Sequence, residues 1–139
     1  MDSRPTVLLV EGDPAAETRT RRAILDSGID CDVRIARDGH QACEMLFEGD
    51  AAVPTLVLLD LAIPNTSWFD VLARIRGCEA TRRLPVVIIS PSDRQPDLDK
   101  SFEFQANSFV QMGESQEIDA TRLKLLLYYW IAVNKNVNA

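Results

Sequence analysis

The chain has 139 residues, of which 46% are hydrophobic and 26% charged, and its formal net charge at pH 7 is −6. These proportions are typical of one folded globular domain and exclude a disordered chain. The acidic balance argues against a nucleic-acid or anionic-membrane partner, because surfaces that bind phosphate groups carry surplus Lys and Arg. The arginine cluster of Arg19, Arg21 and Arg22 is expected to be a solvated helix face.

Three cysteines, Cys31, Cys43 and Cys78, are an odd number without C-x-x-C spacing. The sequence therefore predicts neither a disulfide framework nor a zinc site. No N-terminal stretch resembles the apolar part of a signal peptide, and no apolar run reaches the roughly 18 residues of a membrane span. We expect a soluble, cytoplasmic protein.

Five short apolar runs predict β-strands in chain order, at residues 7–10, 31–36, 56–60, 86–90 and 108–110. The segments between them repeat apolar residues every three or four positions, as one face of a helix does. The first helix is expected to begin at Pro14, behind the N-cap Asp13, and to end near Gly28. Further helices are predicted near residues 41–47, 68–75, 98–102 and 118–133.

The alternation of strands and helices with short connections predicts an α/β fold. We expect a flavodoxin-like (βα)5 doubly wound parallel sheet with the strand order 2-1-3-4-5. The domain should cover residues 6–128, with residues 129–139 as a C-terminal helical extension and no output domain.

A carboxylate ends the third predicted strand, where Asp60 follows the apolar run at residues 56–59. In this strand order the ligand site lies at the carboxyl ends of strands 1 and 3. Glu11 and Asp13 are therefore expected beside Asp60, together with Ser90 from the end of strand 4. The sequence predicts a carboxylate pocket at this edge of the sheet.

Five stretches, in order and at matching spacing, resemble a known family. They are Leu8-Leu9-Val10-Glu11, Leu58-Leu59-Asp60-Leu61 with Pro64, Leu84 to Ser90, Ala106 to Phe109, and Tyr128-Tyr129-Trp130. With them the chain resembles a CheY-like response-regulator receiver domain, and among receivers the single-domain type associated with phytochromes. By this resemblance Asp60 accepts a phosphoryl group from a histidine kinase, Ser90 is the hydroxyl switch that binds that group, and Phe109 is the aromatic switch.

The resemblance also implies a Mg²⁺ site formed by Glu11, Asp60 and the carbonyl of Ala62. The chain departs from the family pattern here, because Gly12 stands where receivers have a second acidic residue that binds the metal directly. Asp13 has two readings, a replacement metal ligand or the N-cap of the first helix. We expect a weakened Mg²⁺ site.

Two further departures remove groups that would stabilise a phosphoryl group. Met112 stands where receivers have a lysine, and Pro91, which has no N–H, stands where a backbone amide donates. A phosphoryl group adds a charge of about −1.5 to −2. Two like charges about 4 Å apart repel by roughly 4 kcal/mol at an effective dielectric near 20, so stable phosphorylation of Asp60 is expected to be disfavoured.

The C-terminal helix is predicted to be apolar or aromatic on all sides, at Leu126, Leu127, Tyr128, Tyr129, Trp130 and Ile131. A helix that packs on one sheet face needs one apolar stripe, so the surplus predicts a second buried face. The resemblance implies a homodimer through this helix. The alternative is that the extension folds back over its own domain.

Three functions compete at this point. The first is a stand-alone response regulator in a phosphorelay, weakly phosphorylated by a histidine kinase such as a bacteriophytochrome, which acts by protein contacts and is not an enzyme. The second is a pseudo-receiver adaptor that needs no phosphorylation. The third is a phosphatase of the haloacid-dehalogenase type, which is disfavoured because that family needs a second aspartate where this chain has Ala62.

Overall fold

The computed structural model describes residues 4–49 and 52–136. In this part of the chain five β-strands alternate with five α-helices. The strands are β1 (Thr6–Val10), β2 (Asp32–Ala36), β3 (Leu56–Asp60), β4 (Val86–Ser90) and β5 (Ser108–Gln111). The helices are α1 (Pro14–Asp26), α2 (Gly39–Phe47), α3 (Trp68–Gly77), α4 (Gln95–Glu103) and α5 (Gln116–Leu127), and a π-helical segment follows at Tyr128–Val133.

The strands form one parallel sheet in the order β2-β1-β3-β4-β5, which confirms the predicted topology. All residues of β3 and β4 are buried, because helices cover both faces of the sheet around these central strands. Val10 pairs with Leu59, so the carboxyl ends of β1 and β3 lie side by side. This pairing brings the turn after β1 to the end of β3.

Two hydrophobic clusters lie on opposite faces of the sheet. One contains Trp68 and Leu72 of α3, and the other contains Ile24 of α1 and Leu123 of α5. In the described part of the chain, no helix is both long and apolar enough to cross a membrane.

Side-chain caps set the helix starts. Asp13 accepts a hydrogen bond from the backbone N–H of Ala15 at 3.3 Å, with Pro14 in the first turn, as the sequence predicts. The second helix begins at Gly39, earlier than predicted, because the carboxylate of Asp38 caps it by accepting from the N–H of Gln41 at 2.7 Å.

The last helix differs from the prediction of one helix over residues 118–133. It begins at Gln116, because the hydroxyl of Ser115 accepts from the N–H of Ile118 at 3.1 Å. The α-helix ends at Leu127 and widens into the π-helical segment, in which the rings of Tyr129 and Trp130 meet edge to face at 4.9 Å. Of the predicted extension, residues 137–139 lie outside the described residues.

Candidate functional site

Asp60 ends β3 at the carboxyl edge of the sheet. Its side chain is buried in a strand whose other residues are apolar, and its Oδ1 accepts a hydrogen bond from the N–H of Ala62 at 3.2 Å. The residue is 7% exposed and lines the open space at this edge of the sheet. A carboxylate in this position can act as a nucleophile or as a metal ligand.

Glu11 lies directly after β1 and is 3% exposed. Burial raises the pKa of Glu11 from 4.5 to about 8, and the hydrogen bond and charge of the neighbouring Asp60 carboxyl add to this effect. Hydrogen bonds from the N–H groups of Asp13 and Gly12 act in the opposite direction. Near neutral pH Glu11 therefore favours its protonated, neutral form.

A cavity of about 280 Å³ opens beside these two carboxyl groups, between the loops of the sheet edge and helices α1 and α5. Among the residues predicted from the sequence, those that line it are Glu11, Asp13, Asp60, Ala62, Ser90, Pro91 and Met112. Phe109 lies outside this cavity, half-buried on the edge strand β5. The structure thus brings the predicted pocket residues together and places the aromatic residue beside a different, shallow groove.

The carboxyl groups of Glu11 and Asp60 supply the hard oxygen donors that Mg²⁺ prefers. Within residues 4–49 and 52–136, no three side chains of His, Cys, Asp or Glu come close enough together to hold a metal ion. Asp13 is exposed and its carboxylate caps α1. The donors fit a divalent cation in kind, and the protein would have to complete its coordination with backbone oxygen and water.

Gly12 is tightly enclosed by the loop after β3. A Cβ atom built on Gly12 would lie 2.6 Å from Cδ of Pro64 and 3.2 Å from the carbonyl oxygen of Arg37. A proline ring cannot swing aside as a long side chain can, so any side chain at residue 12 requires that loop to move. Glycine at residue 12, in place of an acidic residue, therefore fits the close packing of this loop.

Ser90 ends β4 with its hydroxyl engaged in its own loop. Its Oγ accepts from the N–H of Ser92 at 3.0 Å, and the hydroxyl of Ser92 in turn donates to the carboxylate of Asp97 at 3.2 Å. Asp97 belongs to the first turn of α4. A chain of hydrogen bonds thus joins the site hydroxyl to the start of a helix.

Met112 and Pro91 form an apolar wall on this side of the cavity. Met112 is buried in the cluster that contains Ile89 and Leu123, and its N–H donates to the carbonyl of Ser90 at 2.8 Å. A thioether cannot pair with an anion, and the proline ring offers no N–H. Neither residue can compensate negative charge.

Asp119 is a residue of the candidate site that the sequence did not predict. It is buried on α5, it lines the same cavity, and both of its carboxylate oxygens accept from the N–H of Gly113. An acidic residue in the first turn of a helix is common and gives no signal of its own. Among the described residues, no ion pair joins Glu11, Asp60 or Asp119 to a cation.

The predicted interface residues of the last helix divide into two groups. Leu126 and Leu127 are buried in the core of their own domain, so they are not available to a partner, which corrects the predicted set. Trp130 and Ile131 pack partly against that same core, whereas Tyr128 and Tyr129 are exposed. The last segment therefore both folds onto its own domain and presents aromatic rings outward.

Comparison with known proteins finds relatives along nearly the whole chain. Residues 7–119 match the family model of the response regulator receiver domain. Response regulator Rcp1 of Synechocystis sp. is 32% identical over 111 residues, which cover 76% of this chain and 76% of Rcp1. The probable methanogenesis regulatory protein FilR2 of Methanothrix harundinacea is 29% identical over 133 residues, which cover 94% of this chain and 86% of FilR2.

Solved structures show the same similarity. The phosphorylated cyanobacterial phytochrome response regulator RcpA superposes with a TM-score of 0.90 at 25% identity, over 97% of this chain and 99% of RcpA. The Mn²⁺-bound form of Rcp1 superposes with a TM-score of 0.86 at 26% identity, over 95% of this chain and 98% of Rcp1.

Proposed function

The chain belongs to the response-regulator receiver family of two-component signalling, and we propose that Asp60 is its phosphoryl acceptor and a histidine kinase its phosphoryl donor. The observation that carries this proposal is the cavity at the end of β3, where Asp60, Glu11 and Ser90 meet. We propose that the receiver occupies residues 6–128 and acts as a response regulator through protein contacts, not as an enzyme. We also propose a cytoplasmic location, because the proposed phosphoryl donor is a histidine kinase of two-component signalling.

The transfer uses the carboxylate of Asp60 as the nucleophile. One Oδ attacks the phosphorus atom of the phosphohistidine, an O–P bond forms, and the N–P bond breaks as the imidazole leaves. With Glu11 protonated, its carboxyl group adds no second negative charge beside the acceptor. The product is an acyl phosphate.

Mg²⁺ would be held by the carboxylates of Glu11 and Asp60 and the carbonyl of Ala62, and it would neutralise charge on the phosphoryl oxygens. A relative was solved with Mn²⁺ bound, and the donor types here match such an ion. We propose that the site binds it weakly, since Gly12 supplies no carboxylate and Glu11 must first lose its proton.

The same reasoning supports slow and weak phosphorylation. The cavity wall offers Met112 and Pro91 in place of a cation and an amide, and it adds the buried carboxylate of Asp119. Each uncompensated pair of like charges costs roughly 4 kcal/mol at about 4 Å and an effective dielectric near 20.

The protein is proposed to signal as a homodimer and to receive its input from a phytochrome-type kinase. RcpA is a phytochrome response regulator by name, and a further solved relative, at 27% identity, is named the bacteriophytochrome response regulator AtBRR. Both names support a bacteriophytochrome as the candidate donor. Leu125, Tyr128 and Tyr129 are exposed on adjoining turns of α5 and the π-helical segment, and aromatic residues of this kind are enriched at interfaces.

A phosphorylation-independent adaptor is the second candidate, and the lack of any ion pair to Asp60 among the described residues favours it. Incubation with acetyl phosphate and Mg²⁺, followed by intact-mass measurement, separates the two. One added phosphoryl group in the wild type and none in Asp60→Asn supports the acceptor role. An unmodified wild type at saturating donor and Mg²⁺ supports the adaptor.

A further inference from the structure

We propose that Arg19 supplies the positive charge that the site lacks at Met112, by binding a phosphoryl group on Asp60 from the side of α1. This inference rests on the proposed function, because it needs a phosphoryl group at Asp60. It revises the expectation that the arginines of α1 form only a solvated face.

The cavity needs a cation once a phosphoryl group is present. Glu11, Asp60 and Asp119 are all buried in its wall, and the residue at the usual lysine position is the apolar Met112. A phosphoryl group adds a further charge of about −1.5 to −2. An acyl phosphate that persists here therefore requires positive charge from another element.

Arg19 is well placed to provide it. It lines the same cavity as Glu11 and Asp60, on a helix that begins at Pro14, directly after the β1 turn. Five residues of helix rise about 7.5 Å, and helical side chains lean back toward the N-terminus of their helix. An extended Arg19 side chain can therefore reach along the cavity wall toward the end of α1 that adjoins the carboxyl groups.

Arg19 is also uncommitted, in contrast to its neighbours. Arg21 forms an ion pair with Glu17 at 3.6 Å, and Arg22 forms one with Asp26 at 3.3 Å. No hydrogen bond or ion pair holds Arg19 to any residue in the described ranges 4–49 and 52–136. Its guanidinium can therefore turn to a new anion without breaking an existing contact.

The chemistry of the guanidinium group suits this role. Arginine stays charged at all physiological pH values, and its planar fork binds two phosphate oxygens at once. The cavity is partly enclosed by α1, α5 and the sheet edge, so the attraction is less screened than on an open surface.

The test compares Arg19→Gln and Arg19→Lys with Arg21→Gln, a matched change at an exposed arginine of the same helix that is paired with Glu17. Each protein is treated with acetyl phosphate and Mg²⁺, and the yield and lifetime of the acyl phosphate are followed by intact mass. Binding of beryllium fluoride, a phosphoryl analogue, is measured by titration calorimetry on the same proteins.

We expect Arg19→Gln to lower the yield and the beryllium fluoride affinity about tenfold or more, the effect of one charge-assisted hydrogen bond. Arg19→Lys should retain part of both, because it keeps the positive charge but not the planar fork, and Arg21→Gln should equal the wild type. Equal behaviour of Arg19→Gln and wild type would overturn the role of Arg19 and leave Asp60 as the acceptor. A wild type that neither forms an adduct nor binds beryllium fluoride would instead overturn the proposed function itself.

Discussion

The backbone N–H of Gly113 donates to both carboxylate oxygens of Asp119, at 2.8 and 3.0 Å. This contact ties the loop after β5 to the first turn of α5. Gly113 has a φ of +105°, a conformation that favours glycine, and its N–H is the group that a proline would lack. The loop that contains Met112 and Gly113 is therefore stabilised by its contact with Asp119. It carries no lysine at residue 112.

Removal of the Asp119 carboxylate should destabilise the fold. We expect Asp119→Ala to lower the free energy of unfolding by about 1–3 kcal/mol, because the N–H of Gly113 loses a buried acceptor. Asp119→Asn keeps one acceptor oxygen and should cost less. Urea unfolding measures both, and Glu117→Gln, an exposed acid of the same helix turn, is the control that should change little. An Asp119→Ala protein as stable as the control would show that the contact contributes nothing.

A side chain at residue 12 should strain the loop after β3. We expect Gly12→Ala to destabilise the protein by about 1–3 kcal/mol, since its Cβ would meet the ring of Pro64. Gly77→Ala is the matched control, because its Cβ would meet no atom within 4 Å. Thermal unfolding should show a lower Tm for Gly12→Ala and an unchanged or higher Tm for Gly77→Ala. Gly12→Asp alone is thus a poor way to restore the metal ligand, and pairing it with Pro64→Ala should relieve the clash.

The stability of the metal-free protein should depend on pH through Glu11. The pKa of this group rises from 4.5 to about 8 on folding, so between these values the folded state holds a proton that the unfolded state has released. The contribution of Glu11 to the free energy of unfolding is therefore largest at low pH and declines as pH increases through that window. Denaturant unfolding in the presence of a chelator across this window measures the slope. Glu11→Gln should flatten it, and an unchanged slope in that variant would assign the effect to another group.

Arg76 should be a structural residue with a large effect. Its guanidinium donates to the carbonyl of Leu84 at 2.7 Å and to Oδ1 of Asn107 at 2.8 Å, and the same Oδ1 accepts from the N–H of Val86 at 2.8 Å. We expect Arg76→Lys to lose about 1–3 kcal/mol of stability, because one ammonium cannot reproduce the planar fork. Chemical denaturation against Arg82→Lys, an exposed arginine nearby, checks this. Equal losses in both variants would argue against the network.

Self-association should depend on the exposed face of α5. Leu125 is 65% exposed there, and Leu125→Glu should shift a dimer toward monomer in sedimentation velocity without loss of fold. Leu25→Glu is the matched control, since Leu25 is 76% exposed on α1. A wild-type protein that sediments as a monomer at all concentrations would contradict the homodimer.

The sequence was informative where local patterns decide the structure. The strands β3 and β4 have the predicted bounds, because both faces of each are buried and their residues read as continuous apolar runs. Asp13 and Pro14 fixed the start of α1 for a similarly local reason. The strand order then brought Glu11 and Asp60 together without further information.

The remaining features depend on residues far apart in the chain. The enclosure of Gly12 is made by Pro64, and the network of Arg76 joins α3 to the segment before β5, so neither appears in any short window of sequence. The π-helical segment was missed because its side chains have the same apolar pattern as an α-helix. Periodicity cannot separate these two helices over six residues.

If Ser90 acts as the proposed hydroxyl switch, the hydrogen bonds of the loop after β4 oppose its movement. If the hydroxyl of Ser90 turns toward a group on Asp60, it gives up the N–H of Ser92, and the contact between Ser92 and Asp97 is disturbed with it. In the proposed switch, the contacts within residues 90–97 would therefore add to the free energy needed for activation. Substitutions in that loop should therefore change how easily the proposed switch is activated without changing the phosphoryl-transfer chemistry.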